Sequence, residues 1–245
     1  MRNPLLNLIK ANSRRGSFRA EGNTIYIYDV IVGSELEAEW WGGIAPESFA
    51  KALAAIEGDA ILRINSPGGD VFAARAMVQA MREHAGSITV HVDGYAASAA
   101  SLLAAAGDRT VMAEGAFIMI HESWTLTVGN KADHGKTQTL LDQIDRSIAE
   151  TYAARGRKSA EDFAAMMVEE TWLGPAEAVE VGLADEVVTS GDTRAARAKW
   201  NVDAYRHAPA PPPQPAAPPP AAAAPDQNAA HRLRAHRLRL LHASA

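Results

Sequence analysis

The chain has 245 residues and a mass of 26.1 kDa, enough to bury one sizeable core with or without an appendage. Its 47% apolar and 22% charged residues are ordinary for a soluble globular protein, and no uncharged apolar run reaches the about 18 residues that a spanning helix needs. The absence of cysteine removes disulfides, thiol nucleophiles and thiolate metal sites, and the net charge of −5 argues against a nucleic-acid surface over the whole chain. Covalent chemistry would therefore fall to Ser, Thr, Lys or a carboxylate. The opening, MRNPLLNLIKANSRR, lacks the apolar core and small-residue cleavage site of a secretory signal, so a cytoplasmic location is expected.

The first 23 residues read as an N-terminal segment. After them IYIYDVIV (25–32) and AILRIN (60–65) are β-rich runs, the second ending in the turn-forming SPGG at 66–69. A helix is expected next, with Val71, Ala74, Met77, Val78 and Met81 at helical spacing and Asp70 available as its N-cap. SITVHVDG (87–94) reads as a strand, 97–106 as an Ala-rich helix, and 110–113 and 116–120 as short strands. Residues 131–155 look like one long helix and 159–168 another; a turn of helix at 175–181 precedes a last strand, LADEVV. Strands alternating with helices predict the α/β class with a mainly parallel sheet, whose chemistry sits in the loops after the strand ends.

Beyond this body the composition changes. Residues 208–225 hold 9 of the 13 prolines and read as an extended linker. HRLRAHRLRLLHASA comes next, either a solvated basic tail or a short docking segment for an acidic or nucleic-acid partner. Residues 1–205 carry 19 basic and 28 acidic side chains, whereas from Arg206 onward five arginines face the single Asp226.

Three loops carry the informative residues. Asn65-Ser66-Pro67-Gly68-Gly69-Asp70 is either a simple tight turn or a turn whose glycine N–H groups, at a helix start, hold an oxyanion. In Gly94-Tyr95-Ala96-Ala97-Ser98-Ala99-Ala100-Ser101 a serine stands at a helix start among small residues. It suits an exposed nucleophile, and small-residue helix packing explains it about as well. Met119-Ile120-His121-Glu122 ends an apolar strand with a histidine, a general base or a structural imidazole. Oxyanion turn, serine, then histidine 23 residues on, each at a strand end, is the order of parts that acyl transfer requires.

NSPGGDV, DGYAASAAS, FIMIHES and GPAEAVEVGLADEV resemble, in order and roughly in spacing, the signature blocks of ClpP-type serine peptidases over about 24–190. The resemblance implies a ClpP/crotonase-like spiral of ββα units with a protruding long helix, here 131–155; the composition adds a disordered Pro/Ala-rich tail. It makes Ser98 the nucleophile and His121 the base, with the N–H groups of Gly69 and Ala99 as oxyanion hole. The family carries an aspartate before the aromatic-led segment that precedes the last block. Counting back places Glu170 there, a departure from the pattern, with Glu169 beside it and ordinary helix-end charges as the other reading. Glu39-Trp40-Trp41-Gly42-Gly43-Ile44 and the segment from Trp124 to Gly129 are further similar to the ClpP-related head maturation proteases of tailed phages; packing is the plain alternative for the tryptophans.

The expectation is thus a serine endopeptidase without metal or nucleotide cofactor, maturing phage capsid or scaffold proteins in the host cytoplasm or prohead interior. A ClpP-like subunit fed by an AAA+ unfoldase, a non-catalytic capsid-assembly scaffold and a crotonase-like acyl-CoA enzyme are the alternatives. No P-loop occurs, so ATP hydrolysis would belong to a partner. The stripe Leu140, Leu141, Ile144 and Ile148 on the long helix points to a homo-oligomer, and ring assembly is in keeping with the resemblance. The division expected is an N-terminal segment at 1–23, a peptidase domain at 24–190, an extension at 191–207, and the linker and basic tail at 208–245.

Overall fold

Eight strands form one sheet in the computed structural model, which describes residues 4–189 and 199–210. The chain divides into two units, Met1–Pro212 and Pro213–Ala245; nearly all of the expected linker and basic tail lies outside the described residues. The first unit takes in residues on both sides of 24–190.

A short helix α1 (Pro4–Asn12) leads into the hairpin β1 (Ser17–Glu21) and β2 (Thr24–Tyr28). Helices α2 (Glu35–Trp41) and α3 (Pro46–Ala54) precede β3 (Ala60–Ser66), and α4 (Val71–Glu83) comes after it. Then come β4 (Ile88–Ala97), α5 (Ala99–Ala106), β5 (Arg109–Ala113) and β6 (Phe117–Ile120). The long α6 (Lys131–Arg155), α7 (Ala160–Val168), β7 (Thr171–Leu173), α8 (Pro175–Val181) and β8 (Glu186–Val188) complete the order. The sheet runs β1-β2-β3-β4-β5-β8, parallel from β2 onward, so the class is the mixed α/β that the alternating periods predict.

One departure from a simple parallel sheet builds the site. The ten residues of β4 serve two neighbours in turn: Thr89–Val92 pair with Arg109–Met112 of β5, and Tyr95–Ala97 pair with Phe117–Met119 of β6. On its other side, β4 meets β3 with a register shift between Ile64 and Ser66. The carboxyl ends of β3, β4 and β6 are thereby brought side by side, where an open parallel sheet places its ligands.

Alternation along β3 and the first half of β4 turns Leu62, Ile64, Val90 and Val92 into the core, against Ala74, Met77, Val78 and Met81 of α4. Asp70 caps α4 by accepting from the Ala73 N–H at 2.7 Å. Helix α5 is buried from Ala99 through Ala105, which its small side chains permit by letting backbones approach closely. The amino-terminal half of α6 is mostly exposed, while Ile148, Ala149 and Tyr152 near its other end are buried. Among the described residues no helix is long and apolar enough to cross a membrane.

Candidate active site

Ser98 comes directly after β4 and is the N-cap of α5, with φ 52° and ψ −123°. A side-chain-bearing residue rarely adopts positive φ, and holding it there costs on the order of 1–3 kcal/mol. The surroundings over-determine it: the Ser98 N–H donates to the Met119 carbonyl at 2.8 Å, tying β4 to β6. The Ser98 carbonyl accepts from Ser101 Oγ at 2.5 Å, and that hydroxyl lies 2.6 Å from the Tyr152 hydroxyl on α6. This strand-to-helix turn exposes the Ser98 Oγ at the top of the sheet.

His121 stands one residue past β6, and its Nε2 lies 2.8 Å from Ser98 Oγ. For the hydroxyl to donate to Nε2, the ring proton must reside on Nδ1. The ring is packed edge-on against Trp124, centroids 4.5 Å apart, and against Tyr205 at 5.3 Å. Burial pushes the His121 imidazole down to about 4; Glu170 opposes that shift and Arg206 adds to it. The loop after it is pinned to α6, since Ser123 N and Oγ both donate to Asp145, at 2.7 and 2.5 Å.

The turn after β3 approaches from the other side. Ile31 N donates to the Gly68 carbonyl and Asp70 N to the Ile31 carbonyl, so the bridge bonds pass on either side of Gly69 and leave its N–H outside the pairing. Gly69 has φ 147°, and a Cβ there would lie 1.9 Å from the Ile31 oxygen. At Gly68 a Cβ would meet the Ala97 oxygen at 2.5 Å and Ser98 Cβ at 2.8 Å. Only glycine lets this turn lie against the serine. The Ala99 N–H, in the first turn of α5, is one that a helix leaves without an internal partner. Gly69, Ser98, Ala99 and His121 line one cavity of about 160 Å³. That is below the ~300–1,000 Å³ of a site for a drug-sized ligand, and is on the scale of a side chain.

Glu170 is buried, at 6% exposure, with φ 51°, whereas Glu169 is exposed at the end of α7. The Glu170 carboxylate accepts from His207 N at 2.7 Å, Arg206 N at 2.9 Å and Trp172 Nε1 at 3.3 Å. Among the described residues no hydrogen bond joins it to His121; it acts on the imidazole through space. The structure therefore brings Ser98, His121, Gly69 and Ala99 together and leaves Glu170 outside hydrogen-bond reach of the ring. The stripe Leu140, Leu141, Ile144 and Ile148 lines the same cavity, so part of the apolar face of α6 is turned toward Ser98.

Sequence reasoning placed Gly68 and Ser101 in the informative loops without giving either a role of its own, and missed Tyr152 and Tyr205. The first three sit in stretches otherwise explained by a turn or a helix. Tyr205 had a weak signal in Trp200, Val202 and Tyr205, apolar residues immediately before the proline run.

The family model described as Clp protease matches residues 30–191. ATP-dependent Clp protease proteolytic subunit 2 of Leifsonia xyli subsp. xyli is 34% identical over 149 residues, 58% of this chain and 65% of the relative. Proteolytic subunit 3 of Rhodococcus jostii is 29% identical over 134 residues, 54% of this chain and 66% of the relative. The proteolytic subunit of Deinococcus radiodurans is 25% identical over 161 residues, 65% of this chain and 79% of the relative. The chain thus spans just under two thirds of the length of the first two of these relatives.

Proposed function

Because the chain belongs to the Clp protease family, we propose that it is a serine endopeptidase cleaving polypeptides through an acyl-enzyme at Ser98. The observation that carries the reading is the 2.8 Å contact between Ser98 Oγ and His121 Nε2, made by a serine held at positive φ in a cavity that Gly69 and Ala99 also line.

Ser98 Oγ attacks the carbonyl carbon as its proton passes to His121 Nε2, and the N–H groups of Gly69 and Ala99 receive the oxyanion. The imidazolium then protonates the departing amine, and a water deprotonated by the same nitrogen hydrolyses the ester. Glu170 is the acid of the set, its charge favouring the imidazolium across the gap. The test is labelling with a fluorophosphonate probe: the parent chain should be modified at Ser98, and Ser98→Ala should neither label nor cleave peptides while melting like the parent. Peptide cleavage by Ser98→Ala at the parent rate would overturn the reading.

The natural substrate is a capsid or scaffold protein of a tailed-phage head. The resemblance of the Trp40-Trp41 and Trp124 to Gly129 segments supports this, as does a Trp40 that is 63% exposed on α2, a helix with no buried residue. Co-expression with neighbouring capsid genes should yield trimmed capsid or scaffold protein that is absent with Ser98→Ala. Trimming of general unfolded substrates only when an AAA+ unfoldase is added would favour the alternative of a housekeeping proteolytic subunit. The protein acts as a homo-oligomer, on the support of the exposed half of α6 and of the exposed Leu126 and Val128 in the segment before it.

A further inference from the structure

Residues 200–207 lie beyond the segment that the family model matches, yet they reach the His121 ring and the Glu170 carboxylate. Trp200, Val202 and Tyr205 are buried in one cluster with Leu8, Tyr95, Ala97 and Met119. Trp200 Nε1 donates to Asn65 Oδ1 at 3.0 Å. The Asn12 side chain takes both polar groups of Asn201, accepting from its N–H at 2.7 Å and donating to its carbonyl at 2.8 Å. This strap is anchored at its start by α1 and by the end of β3.

Its other end meets the catalytic groups. The Tyr205 hydroxyl donates to the Pro67 carbonyl at 2.6 Å, next to the glycine turn, while its ring packs on His121, Trp124 and Trp172. The next two N–H groups, of Arg206 and His207, both go to the Glu170 carboxylate. We propose that the strap is a working part of the catalytic centre, in which Tyr205 is a positioning residue for the His121 ring and the Arg206 and His207 amides fix Glu170 beside it.

The inference deepens the peptidase reading and rests on it. A histidine just past a strand end has its Cα fixed by the sheet but two side-chain torsions to set, and edge-on rings on two sides leave the imidazole one orientation. Tyr205 is one of those two, and its hydroxyl bond gives it a fixed distance to the oxyanion turn. The Glu170 carboxylate ends on main-chain donors that, among the described residues, this segment supplies. The charged groups acting on His121 are Glu170 from the turn before β7 and Arg206 from the strap. Ser98 and Tyr205 touch it, Asp145 of α6 is engaged by Ser123, and Asp70 lines the same cavity.

The full-length chain carrying Tyr205→Ala, Tyr205→Phe, Arg206→Pro or Arg206→Ala tests this. The readouts are kcat and KM on a fluorogenic peptide, and the His121 pKa by NMR, which needs no turnover. Tyr205→Ala should lower kcat about tenfold or more with KM little changed. It should also raise the His121 pKa by more than about one unit as the ring gains water. Tyr205→Phe, which keeps the ring, should recover most of kcat. Arg206→Pro, which deletes the N–H, should lose more than Arg206→Ala, which keeps it. Should Tyr205→Ala fail to fold, Tyr205→Leu takes its place. An unmoved His121 pKa, with kcat losses that track only the folded fraction, would make the strap merely structural; a gain in kcat would make it an inhibitor. Either overturns the proposal. Peptide cleavage by Ser98→Ala at the parent rate would instead sink the peptidase reading, while the NMR shift still decides whether the strap positions His121.

Discussion

At Ser98 the physics of one residue decides what the loop can do. A serine at φ 52° is disfavoured by the chain, and the bonds from Ser101 Oγ and to the Met119 carbonyl hold it there. The same reasoning applies to Gly69, where an added Cβ would lie 1.9 Å from a carbonyl oxygen. Gly69→Ala should lower unfolding free energy by roughly 1–3 kcal/mol in urea titrations and, by shifting an oxyanion donor, reduce kcat by about 10²-fold. His121 gives a pH signature. Its pKa is pushed from 6.5 down to about 4, and in the proposed mechanism the neutral ring is the base, so kcat/KM should stay on its plateau until pH nears 4 rather than 6.5. The unfolded chain takes up that proton more readily than the folded one. Stability from this group is therefore complete above pH 6.5 and lost progressively as pH falls from 6.5 toward 4. Acid denaturation of His121→Gln should show a shallower slope across that window.

Among the elements, α6 does the most varied work. One end reaches the nucleophile through Tyr152, whose hydroxyl contacts the Ser101 oxygen that holds the Ser98 carbonyl. Asp145 in its middle holds the loop after His121. Tyr152→Phe removes one partner from a buried pair and should cost about 1–3 kcal/mol of stability, with a fall in fluorophosphonate labelling of Ser98 beyond what unfolding explains. The 25 residues of α6 were legible in the sequence because a long run at helical spacing, with Leu140, Leu141, Ile144 and Ile148 on one face, marks it. The turns at Ser66–Gly69 and at Ser98 were legible too, since glycines and small residues interrupt strongly β-forming runs. β1 was not, because SFRAE is short and almost wholly exposed, with only Phe18 and Ala20 as apolar residues. β7 has three residues, too few for any period. Glu170 could be counted to, but its distance from His121 could not, because that depends on a turn at positive φ and on amides 36 and 37 residues away.

For the whole molecule, the boundary between the two units falls at Pro212. A chain ending at Pro212 keeps every residue named in the site. It should hydrolyse peptides within about a factor of two of the full-length rate, under roughly 0.5 kcal/mol of barrier. Loss of capsid association that is sensitive to salt would locate the function of the basic tail. Sedimentation should show an oligomer at micromolar concentration, shifted toward monomer by charges introduced at the 88% exposed Val128.

The bond between Asn12 and Asn201 spans 189 positions. Synthesis runs from one to the other, and at ~5–20 residues per second the ribosome needs roughly 4–16 s to go from His121 to Trp200. During that interval Ser98 and His121 both exist, but the strap proposed to seat the imidazole does not. A nascent chain stalled before Trp200 should therefore be inert to the fluorophosphonate, and the released chain reactive. The order of the sequence itself would then keep Ser98 silent until the strap has been made.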